Sequence, residues 1–392
     1  MNASRRQFRL LMTAETCSLF GDQLLGVALP LAVFDRLGAT AAVGILLARV
    51  VPAAALGLVG GALADRLDRR RLFVVIALLR ALVLLPLLAW PHGGLALVVA
   101  VVVGLTSAGQ VAGPAVGASL PAVVSPEDLP SANARLAART VLVGLAAPTV
   151  GALLYARQGL SAVVWVDVAM CLLTAVLARG LSLGEHRASA SGLVADLRDG
   201  VSQLLSDPLL RRLIVVVGVA LVGLGVELAV LVPFLRGTLH ASAPMVGALT
   251  ASQALGGLLG AIAVPRIARR WQPQTLIRIG VLGLPAAVLG FLVSREPWQA
   301  VPGVVLSGVL VTMLSAGAQT YLQLTVPRTH IGRVLGAIGS LFGLASVLGT
   351  GLAALLTQVL PLRGCLAVAA AVEVVAVLVY VLHAPTRRTV EL

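Results

Sequence analysis

The chain has 392 residues, of which 59% are hydrophobic and 11% charged, with a formal net charge of +13. Soluble domains carry about 25% charged residues, so this composition excludes a soluble enzyme and a disordered chain and describes an all-α, polytopic membrane protein. The excess of arginine would point to nucleic acid in a soluble domain. Here it sits in loops beside long apolar runs, where anionic lipid head groups are the expected partner and nucleic acid is not.

The short basic start, Met1 to Arg9, runs into an apolar segment with no clear cleavage site, which predicts a retained helix and not a signal peptide. Twelve apolar segments follow one another, beginning near Leu10, Ala41, Leu72, Leu95, Thr140, Ser161, Leu213, Pro244, Thr275, Val301, Ile331 and Leu366. A crossing takes roughly 20 mostly apolar residues. An even count leaves both termini on one side. Twenty arginines fall in the loops on the side of the termini and five in the alternate loops, so the termini are expected in the cytoplasm of a bacterial membrane.

The longest polar stretch, Leu183 to Arg212, contains a flexible Ser-Ala-Ser-Gly run and then apolar residues at helical spacing. It predicts a cytoplasmic linker with an amphipathic surface helix. The expected domains are a six-helix bundle over residues 1–182, a linker over 183–209 and a second six-helix bundle over 210–392.

Between the second and third segments lies Gly61-Ala-Leu-Ala-Asp65-Arg66-Leu-Asp68-Arg69-Arg70-Arg71, a tight charged turn at a membrane face. A degenerate copy, Gly256-Gly257-Leu-Leu-Gly260-Ala-Ile-Ala-Val264-Pro-Arg266, stands at the same place in the second half, with Val264 where the first has a carboxylate. Fused halves with a central loop are the layout of alternating-access transporters. Cys17, Cys171 and Cys365 are scattered in apolar runs, and the five histidines are dispersed, so neither a disulfide framework nor a metal site is expected. No phosphate loop or nucleophile triad occurs, and no cofactor is expected.

The pattern Gly61-x-Leu63-Ala64-Asp65-Arg66-x-x-Arg69-Arg70 resembles the loop between helices 2 and 3 of the major facilitator superfamily, with Asp68 where that family usually has glycine. Gly144-x-x-Ala147-Pro148-x-x-Gly151-Ala152 is similar to the Gly-Pro-x-x-Gly-Gly element of its export members. Ala132-Asn133-Ala134, Gln319-Thr-Tyr321-Leu-Gln323-Leu-Thr-Val-Pro327 and Gly332-Arg333-Val-Leu-Gly336 are similar to its siderophore and macrolide exporters. The resemblance implies twelve transmembrane helices in two six-helix halves, a monomer, and a latch in which Gly61, Asp65, Arg66, Arg69 and Arg70 take part. Asp65 would meet the start of helix 11 near Gly332 and Arg333, where the helix dipole favours a carboxylate by about 0.3–1 kcal/mol. Arg69 or Arg70 would meet Glu127 or Asp128. Pro148 and Gly151 would form the export element. Many proton-driven drug antiporters place an arginine in helix 4; here that segment offers Gln110 as its most polar residue.

A charge at the centre of a membrane helix costs about 2.5–3.5 kcal/mol on insertion scales, so such residues mark function or pairing. The candidates are Asp22, Arg49, Arg80, Asp167, Glu227 and Glu373. Asp22 and Glu227 lie at similar depth in the first helix of each half and are the expected proton-coupling carboxylates, with Arg49 the expected partner of Asp22. Asp167 and Glu373 are expected in structural pairs, with Arg80 able to serve either. Gln23, Gln110, Gln253, Gln319 and Gln323 are the expected polar groups of a mostly apolar substrate cavity. The expected function is proton-driven export of a small amphipathic compound: a drug, an antibiotic or a siderophore-like molecule. The alternatives are an importer of a nutrient or siderophore, and a non-transporting receptor or scaffold.

Overall fold

The structure, a computed structural model, describes residues 2–66, 68–89, 94–124, 128–182, 208–268, 272–325 and 331–382. Leucine, valine and alanine runs without internal partners for the backbone must form helices in hydrocarbon, where every N–H and C=O has to be satisfied within the segment. Ten such helices are found among the described residues, and each is long and apolar enough to cross a membrane. They are α1 (Asn2–Arg66), α2 (Arg69–Leu84), α3 (Gly94–Val123), α4 (Leu129–Arg179) and α5 (Pro208–Pro233), then α6 (Ala243–Ala268), α7 (Pro273–Val293), α8 (Val301–Thr325), α9 (Ile331–Val359) and α10 (Leu362–Leu382). A π-helical turn, Phe234–Thr238, extends α5. All twelve expected segment starts fall inside these helices. The expected amphipathic linker helix lies outside the described residues.

Two helices each hold two of the expected segments. In α1 the only non-helical residue is Gly38 (φ 81°, ψ −174°), and in α4 it is Gly159 (φ 78°, ψ −178°). Both sit in an Arg-x-Gly pattern, Arg36-Leu37-Gly38 and Arg157-Gln158-Gly159. The sequence predicts loops at these points; the structure uses one residue in a backbone region essentially closed to side chains. The first arm of α1 then folds back on the second, for the Arg49 guanidinium lies 3.3 Å from where a Cβ on Gly26 would stand.

α1 packs most extensively against α4, and α7 against α8. One core is built within α1–α4 (Leu24, Leu84, Val98, Val163) and another within α5–α10 (Val217, Ile277, Leu314, Ala376). A third joins the two sets, with Val27, Leu31 and Ala152 against Val226, Phe234 and Leu249. Large side chains such as Leu142, Val176, Val293 and Val359 face outward, as lipid-facing positions do. α6 and α8 approach closely: Gly256 and Gly260 of α6 meet the carbonyls of Val305 and Val309, and Gly308 of α8 meets that of Gln253. The repeated glycines thus serve backbone contact, the interface chemistry of membrane helices. Asp68, the departure from the family turn, caps α2: its carboxylate accepts from the Arg71 N–H at 2.7 Å.

Replacing Gly38 or Gly159 by alanine is expected to cost about 1–3 kcal/mol each, read as a lower thermal midpoint of the purified protein in detergent, with Gly44→Ala, which has open space around it, as the neutral control.

Candidate functional site

A cavity of about 350 Å³ opens between the two arms of α1 and the middle of α3, lined by Asp22, Gly26, Leu29, Ile45, Arg49, Val102, Thr106 and Gln110 among others. Its floor is charged. Arg80, buried on α2, donates from both guanidinium ends: one to Asp22, in an ion pair, and one to the Ser18 hydroxyl at 2.9 Å. The Asp22 side chain remains 41% exposed toward the cavity, whereas Arg80 is 5% exposed. Asp167 of α4 is buried behind them, its carboxylate against Gly21, where any added Cβ would collide with it. One to two turns earlier on the same face of α1, Glu15 meets Arg139 of α4 at 3.9 Å. Positions 15, 18 and 22 are helix neighbours, so α1 presents one polar stripe that α2 and α4 complete.

This corrects the expected pairing. Arg80, not Arg49, is the partner of Asp22. α2 carries Arg80 to the polar stripe of α1, while Arg49 comes from the returning arm of α1 and extends across the space that Gly26 leaves open. Arg49 is exposed to the cavity and makes no ion pair or hydrogen bond with any described residue.

The α5–α10 set differs. Glu227 of α5 is fully enclosed and accepts a hydrogen bond from the Ser307 hydroxyl of α8 at 3.0 Å. Glu373 of α10, 1% exposed, lies over Gly223, one turn from Glu227, and within its electrostatic reach. Oε2 of Glu227 and both oxygens of Glu373 have no hydrogen-bond donor. The expected equivalence of Asp22 and Glu227 holds for depth in sequence but not for environment: one is ion-paired and faces a cavity, the other is sealed. Glu373, expected in a structural pair, has a carboxylate for a neighbour and no cation among the described residues.

At the end of the bundle marked by Gly38 and Gly159, a second cluster ties the two sets of helices together. Arg236, in the π-helical turn, forks onto Asp35 of α1 (2.9 and 3.3 Å) and donates to the Ala241 carbonyl at 2.9 Å. Tyr155 of α4 donates its hydroxyl to the same carboxylate at 2.9 Å. Gly237 packs on the Phe34 ring, which leaves no room for a side chain. Residues 35 and 236 are 201 apart in sequence, and nothing in the sequence links them except that each is a charge at a span end. The Glu15–Arg139 pair is legible only as charges inside apolar runs.

Among the expected cavity glutamines, Gln110 lines the cavity. Gln23 and Gln253 are half-buried outside its lining, and Gln319 is exposed. The side chains of Gln323, Gly61, Asp65 and Arg66 lie outside the described residues, although the α1 backbone is helical to Arg66. Arg69 is buried and Arg70 exposed at the start of α2. Pro148 and Gly151 sit where α4 crosses two helices: the Pro148 carbonyl is 2.7 Å from a Cβ built on Gly247 of α6, and a Cβ on Gly151 would come within 2.5 Å of the Leu24 carbonyl of α1. The expected export element is therefore a backbone-to-backbone crossing two residues from Asp22.

The family model of the Major Facilitator Superfamily matches residues 11–341, with a second match over 215–391. The multidrug efflux pump Tap of Mycobacterium tuberculosis (strain ATCC 25618 / H37Rv) is 27% identical over 379 residues, covering 91% of this chain and 88% of that one. The enterobactin exporter EntS of Escherichia coli O1:K1 / APEC is 29% identical over 374 residues, covering 90% and 86%. A bacterial homologue of the iron transporter ferroportin in its inward-facing state shares the fold, with a TM-score of 0.75 at 19% identity over 96% of this chain and 98% of that one.

Ser307→Ala removes the donor that Glu227 has in its sealed site. It is expected to lower stability by about 1–3 kcal/mol, and Glu227→Leu is expected to abolish most of that loss in a double-mutant cycle read by thermal unfolding.

Proposed function

This chain belongs to the major facilitator superfamily, and we propose that within it the protein is a secondary active exporter of a small amphipathic compound, a drug, an antibiotic or a siderophore-like molecule, driven by proton antiport. The transporter role, as opposed to an enzymatic one, follows from the family. The observation that carries the finer reading is the cavity with an ion-paired carboxylate, Asp22, on its floor, set among helices that cross the membrane. Charges placed there are expensive and mark ion or substrate pathways. The efflux pump and the exporter among its relatives support the direction.

In this reading the ten helices carry twelve spans, α1 and α4 counting twice, in two six-span halves over residues 1–182 and 210–392, joined by a linker over 183–209 with the termini in the cytoplasm. Asp22 exchanges its hold on Arg80 for a proton as the cavity changes sides. Glu227 is the second coupling carboxylate, supported by its burial without a cation beside it. One proton moving down 100 mV releases about 2.3 kcal/mol, enough for roughly a fiftyfold gradient of a neutral substrate. Gly61, Asp65, Arg66, Arg69 and Arg70 form the cytoplasmic latch, closed when the cavity faces outward. The Asp35–Arg236–Tyr155 clasp is its outer counterpart, closed when the cavity faces inward. The clasp is well suited to that task. Its ion pair is partly exposed, and exposed pairs contribute about 0–1 kcal/mol, so the contact orients the closed state without locking it.

Everted membrane vesicles energised by respiration test the function. Uptake of an exported dye is expected, with loss on adding a protonophore and in Asp22→Asn; uptake indifferent to the protonophore refutes antiport. Arg236→Ala is expected to raise the outward-open fraction by about fivefold, the equivalent of roughly 1 kcal/mol, measured as spin-label distances across the Gly38 end of the bundle.

A further inference from the structure

The cavity carries one charge that its own walls do not answer. Four charged side chains stand on or immediately behind its lining: Asp22 and Arg49 on it, and Arg80 and Asp167 behind it, with Asp167 buried away from the cavity. Asp22 and Arg80 are bound to one another, so their sum is neutral. Arg49 is exposed to the cavity and has neither an ion pair nor a hydrogen bond among the described residues, and its guanidinium lies over Gly26, where a side chain would intrude on it at 3.3 Å. Apart from Thr106 and Gln110, the surrounding walls are apolar: Leu25, Leu29, Ile45 and Val102 among them. An unanswered arginine at membrane depth is costly to keep and holds no structure together. Glycine opposite it preserves room beside the Nη1 edge, from which the guanidinium donates.

We propose that Arg49 is the anion-binding residue of the cavity and that the transported compound is a monoanion: an apolar body bearing one carboxylate, sulfonate, phosphate or phenolate. This rests on the reading of the cavity as the transport site. A guanidinium presents a fixed fork of donors that matches such oxyanions two bonds at a time, and the low dielectric around it strengthens the contact. A cationic compound brings a second positive charge into a space whose one free charge among the described residues is already positive. The volume, about 350 Å³, lies at the lower end of small-molecule pockets, which limits the body to about one or two rings. Export of an anion is also assisted by the inside-negative potential of a bacterium, so the charge class lowers the work left to the proton. Asp22 keeps its coupling role, since Arg80 prevents it from cancelling Arg49.

Two sources present this chemistry, a soluble amphipathic anion and the head group of an anionic lipid. The full-length protein in nanodiscs of phosphatidylcholine, titrated with naphthalene-2-sulfonate and separately with trimethyl(2-naphthyl)phosphonium, two-ring probes of opposite charge, separates them. The expected result is saturable binding of the sulfonate in preference to the phosphonium. Arg49→Gln should weaken it by at least about tenfold, the loss of one charge-assisted contact. Arg49→Lys should retain part of it, and Arg49→Glu should reverse the preference. Sulfonate binding within twofold of wild type in Arg49→Gln, or tighter binding of the phosphonium to the wild type, overturns the assignment. So does abolition of sulfonate binding when the nanodiscs contain phosphatidylglycerol, since the head group is then the occupant. Thermal midpoints of the variants, expected within a few degrees of wild type because Arg49 has no partner to lose, exclude misfolding as the cause. Binding as expected with no efflux of the sulfonate from vesicles sinks the exporter reading and leaves the anion site standing.

Discussion

Hydrocarbon gives a charge no water to turn to, and each ionisable group in this bundle has found a different answer to that constraint. Asp22 is answered by Arg80, and the pair by the Ser18 hydroxyl. Glu15 is answered by Arg139 at the edge of the same stripe. Glu227 has a single hydroxyl, and Glu373 has no donor. Arg49 has an open cavity. Because breaking up a buried pair leaves the survivor uncompensated at a cost of several kcal/mol, these answers decide which helices must stay together and which groups have something to gain from an arriving proton or ligand.

Each set of helices brings two carboxylates together: Asp22 of α1 with Asp167 of α4, and Glu227 of α5 with Glu373 of α10. In the first set Arg80 is inserted beside the pair. In the second, α7 passes with Gly280 packed against Leu310 and Leu314 of α8 and offers no charge there. The charged residues of α7 and α10 other than Glu373 are engaged elsewhere: Arg278 lies toward Tyr380, and Arg363 is bound to the carbonyls of Leu292 and Ser294 at 2.7 and 2.6 Å. The two sets of helices are thus electrostatically unequal, with an exposed, ion-paired carboxylate in one and a buried couple without a cation among the described residues in the other.

Mechanical strength is distributed differently from charge. The contacts that join the two sets of helices at the Gly38 end are partly exposed polar bonds around Asp35 over an apolar seam that belongs to a large buried cluster, and each set also has a core of its own. Glycine crossings between the sets, such as Gly247 on the Pro148 carbonyl and Gly343 on Ala54, bring backbones together.

Composition, the arginine asymmetry and the spacing of apolar runs determined the class, the positions of the membrane helices and the residues worth attention, because a bilayer imposes length and polarity on every segment separately. The Gly61-to-Arg70 pattern carried the family for a related reason: a turn between two fixed helices is a local object. What only the tertiary structure decided is who answers whom. Arg49 and Arg80 are indistinguishable as arginines in apolar runs, yet one closes on Asp22 and the other faces a cavity. Asp35 finds Arg236 across 201 residues. The two one-residue reversals at Gly38 and Gly159 likewise depend on a φ near +80° that the neighbouring helices impose. Partner choice is set by the direction in which packed helices aim their side chains, and no local pattern in the chain encodes that direction.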